Sequence, residues 1–207
     1  MKFPKIPHLP WSKSISNDDK VIRSIDFLKN KPLIYTEKMD GENTCFGKHI
    51  IHARSTDSQY NNPWQTYMKR EWNNFKHLIP EQILIYAENM YSIHSIEYEK
   101  LNNYFYVFSM FDMNENEFLS WDNTVNLCNE LDFKTTPFIL KSTKLIELDI
   151  PETSMLGNTC EGYVVRNANS FKKNTFHENI AKCVRANHVQ TDEHWTKKWK
   201  KAELNEK

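Results

Sequence analysis

The chain has 207 residues, 39% of them hydrophobic and 13% aromatic, enough for one substantial core and too apolar for a disordered protein. Lysine plus arginine and aspartate plus glutamate both number 27, so no uniformly basic or acidic partner is implied. From Phe171 onward, however, nine Lys/Arg accompany five acids, a local net charge of +4 that suits phosphate.

The four cysteines, Cys45, Cys128, Cys160 and Cys183, form no CxxC pair and no histidine stands at zinc-finger spacing, so neither a zinc site nor a disulfide framework is indicated. The N-terminal MKFPKIPHLPW carries prolines where a signal peptide needs an apolar run, and YFYVFSMF is far too short to span a membrane. A cytoplasmic protein with no membrane partner is expected, in a host's cytoplasm if the chain is viral, which its frequent Asn and Lys would suit. Residues 1–32 read as an N-terminal arm, and its three prolines in FPKIPHLPWS predict an extended path against the body.

In chain order, residues 33–38, 43–46 and 50–54 are short runs bounded by turn formers and read as strands, the first two joined by Asp40-Gly41, a hairpin signal. Residues 63–78 open on Asn62-Pro63 and place Trp64, Tyr67, Met68, Trp72, Phe75 and Leu78 at helical spacing, ending before Pro80. Strands follow at 83–88 and 104–111. Ser120 is placed to cap a helix through Val125, Cys128 and Leu131, and another strand covers 161–166. The run IAKCVR, 180–185, is also strand-like, and Thr191 would cap a last basic helix through Trp195 and Trp199, within 189–207. Hairpin-paired strands with helices inserted between them predict a single α+β domain with largely antiparallel sheets flanked by helices.

With only four glycines, each is expected where the backbone needs positive φ or close approach. Two follow an acid, in Asp40-Gly41 and Glu161-Gly162. Lys38, at the end of an apparently buried strand, is a long charged side chain in need of a task or a partner. A lone KxDG arises by chance in roughly one chain of this size in twenty. Here it heads an ordered series: EKMDGEN (37–43), HARS (52–55), YAENMY (86–91), FYVFSMFD (105–112), EGYVV (161–165) and AKCVR (181–185). His8, His52 and His94 have no metal-ligand spacing and read as structural or RNA-facing.

This series resembles the covalent nucleotidyltransferase superfamily, specifically the ATP-dependent RNA ligases of the bacteriophage type, over roughly residues 33–188. The resemblance implies the nucleotidyltransferase fold of DNA and RNA ligase adenylation domains. It implies ATP as AMP donor, Mg²⁺ or Mn²⁺ as metal, and sealing of RNA bearing 5′-phosphate and 3′-hydroxyl ends through lysyl-AMP and RNA-adenylate. Lys38 would form lysyl-AMP. Its amine must be unprotonated to attack, and burial, a metal and the cations Lys182 and Arg185 would lower its pKa. Asp40 and Glu161 would hold the metal rather than touch the amine. Glu37 and Asn43 match positions near adenine and ribose, and Arg54 would meet phosphate or the RNA end. Glu88 would accept from a ribose hydroxyl, Phe108 would stack on adenine with Phe111 as the alternative, and Lys182 would grip the α-phosphate. The chain departs from the family at Ser109, where an acid is frequent, and at Val184, where a second lysine is frequent; Arg185 would replace that cation.

Two competing readings are a DNA ligase or capping guanylyltransferase, disfavoured because about twenty residues after Arg185 cannot build an oligonucleotide-binding barrel, and a non-catalytic nucleic-acid-binding module.

Overall fold

A computed structural model describes residues 1–55, 60–186 and 199–205. Its strands form two principal sheets. The first has the order β12-β10-β1-β9: Ile180–Val184, Gly162–Asn167, Leu33–Glu37 and Phe138–Ser142, every pair antiparallel. The second has the order β11-β7-β6-β4-β2-β3: Phe171–Lys172, Glu117–Phe118, Phe105–Asp112, Ile83–Asn89, Glu42–Phe46 and Ile51–Ala53. The short β8, Lys134–Thr135, lies parallel to β6. A two-stranded ribbon joins β5, Ser92–Ile93, to β13, Lys200–Lys201. The α+β fold with mostly antiparallel sheets is as the sequence predicts, and no helix among the described residues is long and apolar enough to cross a membrane.

The expected Asp40-Gly41 hairpin is absent. β1 pairs with β9 and β10 and β2 with β3 and β4, so Asp40-Gly41 carries the chain from one sheet to the other. Gly41 is demanded by packing: a Cβ there would lie 2.6 Å from the Asn89 carbonyl oxygen and 2.7 Å from Met90 Sδ. A Cβ at Gly162 would lie 2.1 Å from the Cys183 carbonyl oxygen, so β10 and β12 close tightly only because the position is glycine.

Three apolar layers follow from strand alternation. Phe46, Ile85, Val107 and Met110 turn outward from the second sheet onto helix α2, Pro63–Phe75, which buries Trp64, Met68 and Trp72. Asn62 and Gln65 cap that helix, the Gln65 side-chain oxygen accepting from the Asn62 amide at 3.0 Å, and a 3₁₀ turn, Lys76–Leu78, ends it before Pro80. Ser120 caps α3, Trp121–Glu130, through the Asn123 amide at 3.2 Å. Behind the first sheet, Leu33, Tyr35, Tyr163, Val165 and Cys183 pack against Leu9 and Leu28. Between the sheets lies an aromatic layer of Phe3, Tyr86, Phe111, Phe118 and Phe176, with Phe108 and Val164 half-buried at its border.

The N-terminal arm is extended, as its prolines suggest. It widens the first sheet past β12: the Leu9 amide donates to the Lys182 carbonyl at 2.7 Å, and the Lys182 amide donates to the Pro7 carbonyl at 2.9 Å. Residues 20–22 flank it in turn, with Ile22 N donating to the His8 carbonyl at 2.8 Å. Residues 189–198 and 206–207 of the expected C-terminal helix lie outside the described residues. From Trp199 onward that expectation is corrected: Lys200–Lys201 is a strand, the Trp199 ring lies 5.7 Å from Trp64, and the buried Ala202 donates from its amide to the Tyr91 carbonyl at 2.9 Å. Pairing with β5 and an aromatic dock set the path of the chain from Trp199 onward.

Candidate active site

Lys38 follows β1 and Glu161 precedes β10, neighbours whose register continues past the strand ends through a 2.9 Å bond from the Lys38 amide to the Gly162 carbonyl. The side chains therefore meet, and Lys38 Nζ donates to Glu161 Oε1 at 2.6 Å and Oε2 at 2.7 Å. The Lys38 side chain is 25% exposed and that of Glu161 only 4%, so the pair opens to solvent on the lysine side. This corrects the expectation that Glu161 leaves the amine alone. Burial by itself would lower the Lys38 ammonium, but Glu161, then Glu88 and Asp40, outweigh it and hold the group above the usual lysine range. The resting lysine is thus charged, contrary to the lowered value expected.

Asp40 Oδ2 accepts from the Ser95 and Ile96 amides at 2.7 and 2.9 Å, and the Asp40 amide donates to Tyr98 Oη at 3.1 Å. These bonds fix the turn of KMDG. Glu88 Oε1 accepts from the Gly41 amide at 3.2 Å; burial pushes its carboxyl up to about 8, against the pull of Lys38. Asn43 is the register partner of Glu88 on β2, and its Oδ1 is buried with no hydrogen-bond partner among the described residues, an acceptor that suits an amine or hydroxyl of a ligand.

Lys182 is the register partner of Val164 on β10, which turns its side chain toward the cleft. Its ammonium lies 3.7 Å from Asp19 Oδ1. Burial, then the charge of Lys38, lowers it below the usual lysine range. Phe108 is the residue that the β4–β6 pairing skips, since Tyr86 faces Ser109 and Ala87 faces Val107. The bulge leaves its ring half-buried at the cleft, edge-on to Phe3 at 5.0 Å. Phe111 is buried against Phe118 at 5.0 Å, so of the two candidates Phe108 is the one with a face to offer.

The RNA ligase family model matches residues 31–184, which contain every residue of this cluster except Asp19 and the rest of the arm. The chain belongs to the RNA ligase family. Among solved structures it is similar to the Naegleria gruberi RNA ligase. A point mutant of that enzyme with ATP and Mn gives a TM-score of 0.59 at 16% identity, over 91% of this chain and 59% of that one. The form with PPi gives 0.59 at 16% identity over 90% and 61%, and a mutant with AMP and Mn gives 0.58 at 13% identity over 91% and 63%. This chain thus spans about three-fifths of the length of those chains. No curated protein sequence matches it.

Not every expected residue of this RNA ligase family member joins the cluster. Both oxygens of Glu37 are taken: Oε2 accepts from Ser154 Oγ at 2.6 Å and Oε1 from the Met155 amide at 2.7 Å, so its side chain anchors the loop before β10. Arg54 is exposed just beyond β3, one register step along from the Ala53–Thr44 pair and therefore flanking Asn43. Arg185 is not a second cation beside Lys182. It lines a cavity of about 320 Å³ with Trp11, Lys13, Glu147, Asp149 and Cys183, on the side of the sheet to which Cys183 turns.

Two participants, Asp19 and Arg166, escape the sequence reading. Asp19 accepts from Ser16 Oγ at 2.8 Å and stands 3.4 Å from both Lys5 Nζ and His8 Nε2 as well as 3.7 Å from Lys182. Burial would raise its carboxyl, but the Ser16 hydroxyl and amide, with the charge of Lys182, hold it well below the usual range. His8 joins it through a parallel bridge to Lys182. Arg166, the last residue of EGYVVR, is buried and ties the sheets together. It donates to the Leu119 carbonyl at 2.7 Å and to the Phe108 carbonyl at 3.4 Å, which pins the bulge. A mid-strand arginine and an acid in SNDD carry no local cue.

Among the described residues, no three of His, Cys, Asp and Glu are grouped to hold a metal ion. A hard divalent ion fits only as Mg²⁺ and its like usually bind, on one or two carboxylates with substrate phosphates and water completing the shell. Asp40 and Glu161 flank the Lys38 ammonium and would hold such an ion, Glu161 only after releasing Lys38.

Proposed function

We propose that this protein is an ATP-dependent RNA ligase that joins 5′-phosphate to 3′-hydroxyl ends, with residues 1–207 acting as one adenylyltransferase unit. The observation that carries the reading is the half-open, doubly hydrogen-bonded Lys38–Glu161 pair, with Glu88, Asp40 and Lys182 around it. The family match and the likeness to a ligase solved with ATP and Mn support ATP and a divalent metal as its needs.

Three displacements at phosphorus follow. Lys38 Nζ attacks the α-phosphorus of ATP; the N–P bond forms and the bond to pyrophosphate breaks. The 5′-phosphate of the RNA then takes AMP from the lysine, and the 3′-hydroxyl attacks the activated phosphorus, releasing AMP. A divalent ion, when bound, neutralises charge on the phosphates. Before the first step Lys38 must give up its proton and its hold on Glu161. An ion held by Asp40 and Glu161 would take up the Glu161 charge, the largest of those that raise Lys38, and burial beside Lys182 would then favour the neutral amine. Lys182 then takes the α-phosphate, Phe108 offers a face to adenine, and Asn43 and Glu88 bracket the ribose.

Incubation with α-labelled ATP and Mg²⁺ or Mn²⁺ should give a covalent protein–AMP adduct that acid releases, as a phosphoramidate does, and Lys38→Ala should abolish it. An adduct of equal yield in that variant, or labelling by GTP in place of ATP, would overturn the assignment.

A further inference from the structure

A second feature of the arm lies outside the lysine cluster. A groove of about 330 Å³ runs between the arm, at Pro7, Lys20–Arg23 and Phe27, and the 3₁₀ helix Lys173–Glu178, at Asn174, His177 and Glu178. Lys20 and Arg23 are exposed, and neither makes a salt bridge among the described residues. Both lie near enough to His177 that their charges, after burial, hold its imidazole below the usual histidine range. Three groups able to carry positive charge thus line one open groove. The one acid in the lining, Glu178, is exposed, and its charge acts also on Lys31, whose Nζ donates to the Glu178 backbone carbonyl at 2.9 Å. The groove wall also exposes two apolar side chains, Phe27 at 36% and Val21 at 44%.

Two short contact routes tie this groove to the cleft. Pro7 bonds through its carbonyl to the amide of Lys182. On the other wall the His177 ring lies 5.5 Å from Phe176, which lies 5.3 Å from Phe3, itself 5.0 Å from Phe108. Cations set beside an exposed aromatic ring suit a single nucleic-acid strand, whose phosphates need charge and whose bases need a flat apolar face. A lipid surface would call for a broader apolar patch.

We propose that this groove binds one nucleotide of the RNA strand away from the reacting end, its phosphate between Lys20, Arg23 and His177 and its base against Phe27. The proposal rests on the ligase reading for the identity of the polyanion. It assigns the arm a share of RNA binding that adenylation does not need.

The test uses fluorescence anisotropy with a labelled single-stranded RNA bearing a 5′-hydroxyl, read across a salt series, alongside self-adenylation with labelled ATP. Lys20→Gln combined with Arg23→Gln should weaken binding about tenfold or more at low salt and lower the slope of log K against log salt by roughly 1 to 2, as expected for the loss of one or two phosphate contacts. Phe27→Ala should weaken binding about fivefold or more at an unchanged slope, as the loss of one stacked base would. Both variants should form lysyl-AMP like the wild type, which also shows that they are folded. Wild-type affinity and slope in the double variant would overturn the proposal, as would a wild-type protein that binds no RNA at low salt. Absence of the adduct from the wild type would defeat the ligase reading alone, and the anisotropy series would still decide the groove.

Discussion

Two lysines face the same cleft, and their charges are held in different ways. Lys38 is bound by both oxygens of one carboxylate from the neighbouring strand's leading end, at 2.6 and 2.7 Å, at the edge of the first sheet's β1–β10 pair. Lys182 stands 3.7 Å from Asp19, an acid of the arm that it shares with Lys5 and His8. A short bidentate pair with a buried carboxylate is a resting lock, since separating it exposes a desolvated charge. A long, shared contact leaves the ammonium able to turn. The nucleophile is therefore restrained until ATP and metal offer Glu161 another partner, whereas the phosphate-gripping cation is kept charged, oriented and loose.

The sharpest way to break this contrast is to remove one member of each pair from the motif-bearing core. Glu161→Ala and Lys182→Ala should each slow lysyl-AMP formation by at least about 10²-fold, the scale on which loss of one group stabilising transition-state charge is felt. Single-turnover adenylation at saturating ATP measures it. Near-normal rates in both variants would reduce EGYVV and AKCVR to ordinary strands.

The two pairs also differ in how well the sequence announces them. Lys38, Glu161 and Lys182 stand in short motifs, and the strands bearing them are apolar runs bounded by turn formers, so β1, β4, β6 and β10 are readable to within a residue or two. Local cues fail where the deciding partner is distant. Asp40-Gly41 has hairpin chemistry, yet Gly41 is set by contact with Asn89 and Met90 and the chain passes between sheets. The helical spacing of Trp195 and Trp199 says nothing of β5, whose edge draws Lys200–Lys201 into a strand. Glu37 and Arg185 match or border motif positions, but strand alternation and loop contacts send their side chains elsewhere. Asp19 and Arg166 act on residues far away in sequence, through an arm and between two sheets, and no pattern of residue types near them reveals it.

The arm side of the comparison carries a pH signature. His8 is buried, its Nδ1 within 2.8 Å of Ser12 Oγ, and burial, then the charge of Lys182, lowers its pKa to about 4 despite Asp19. The folded state keeps His8 neutral while the unfolded chain takes up a proton near pH 6.5. Between those values the unfolded state binds more protons, so stability is full above pH 6.5 and falls as the pH drops toward 4, by up to about 3 kcal/mol from this group. Urea midpoints across that range measure the fall. His8→Asn should flatten it, and a variant with the wild-type slope would place the titrating group elsewhere.

The smallest expected effect is the most discriminating. Asp19→Asn keeps the shape of the side chain and its place beside Ser16 while removing the charge that Lys182, Lys5 and His8 share. If Asp19 only steadies a cation that must move to the phosphate, the maximal rate of adenylation should change by less than about fivefold, because ATP itself supplies the charge that replaces the lost carboxylate. The KM for ATP should fall, since a competitor for Lys182 is gone. Asp19→Ala also gives up the Ser16 bonds, so it should reproduce the kinetic pattern with a lower melting temperature. A loss in Asp19→Asn as large as that of Lys182→Ala would show the arm pair to be as integral to phosphate binding as the Lys38 pair is to the nucleophile, and the distinction between lock and loose contact would fall.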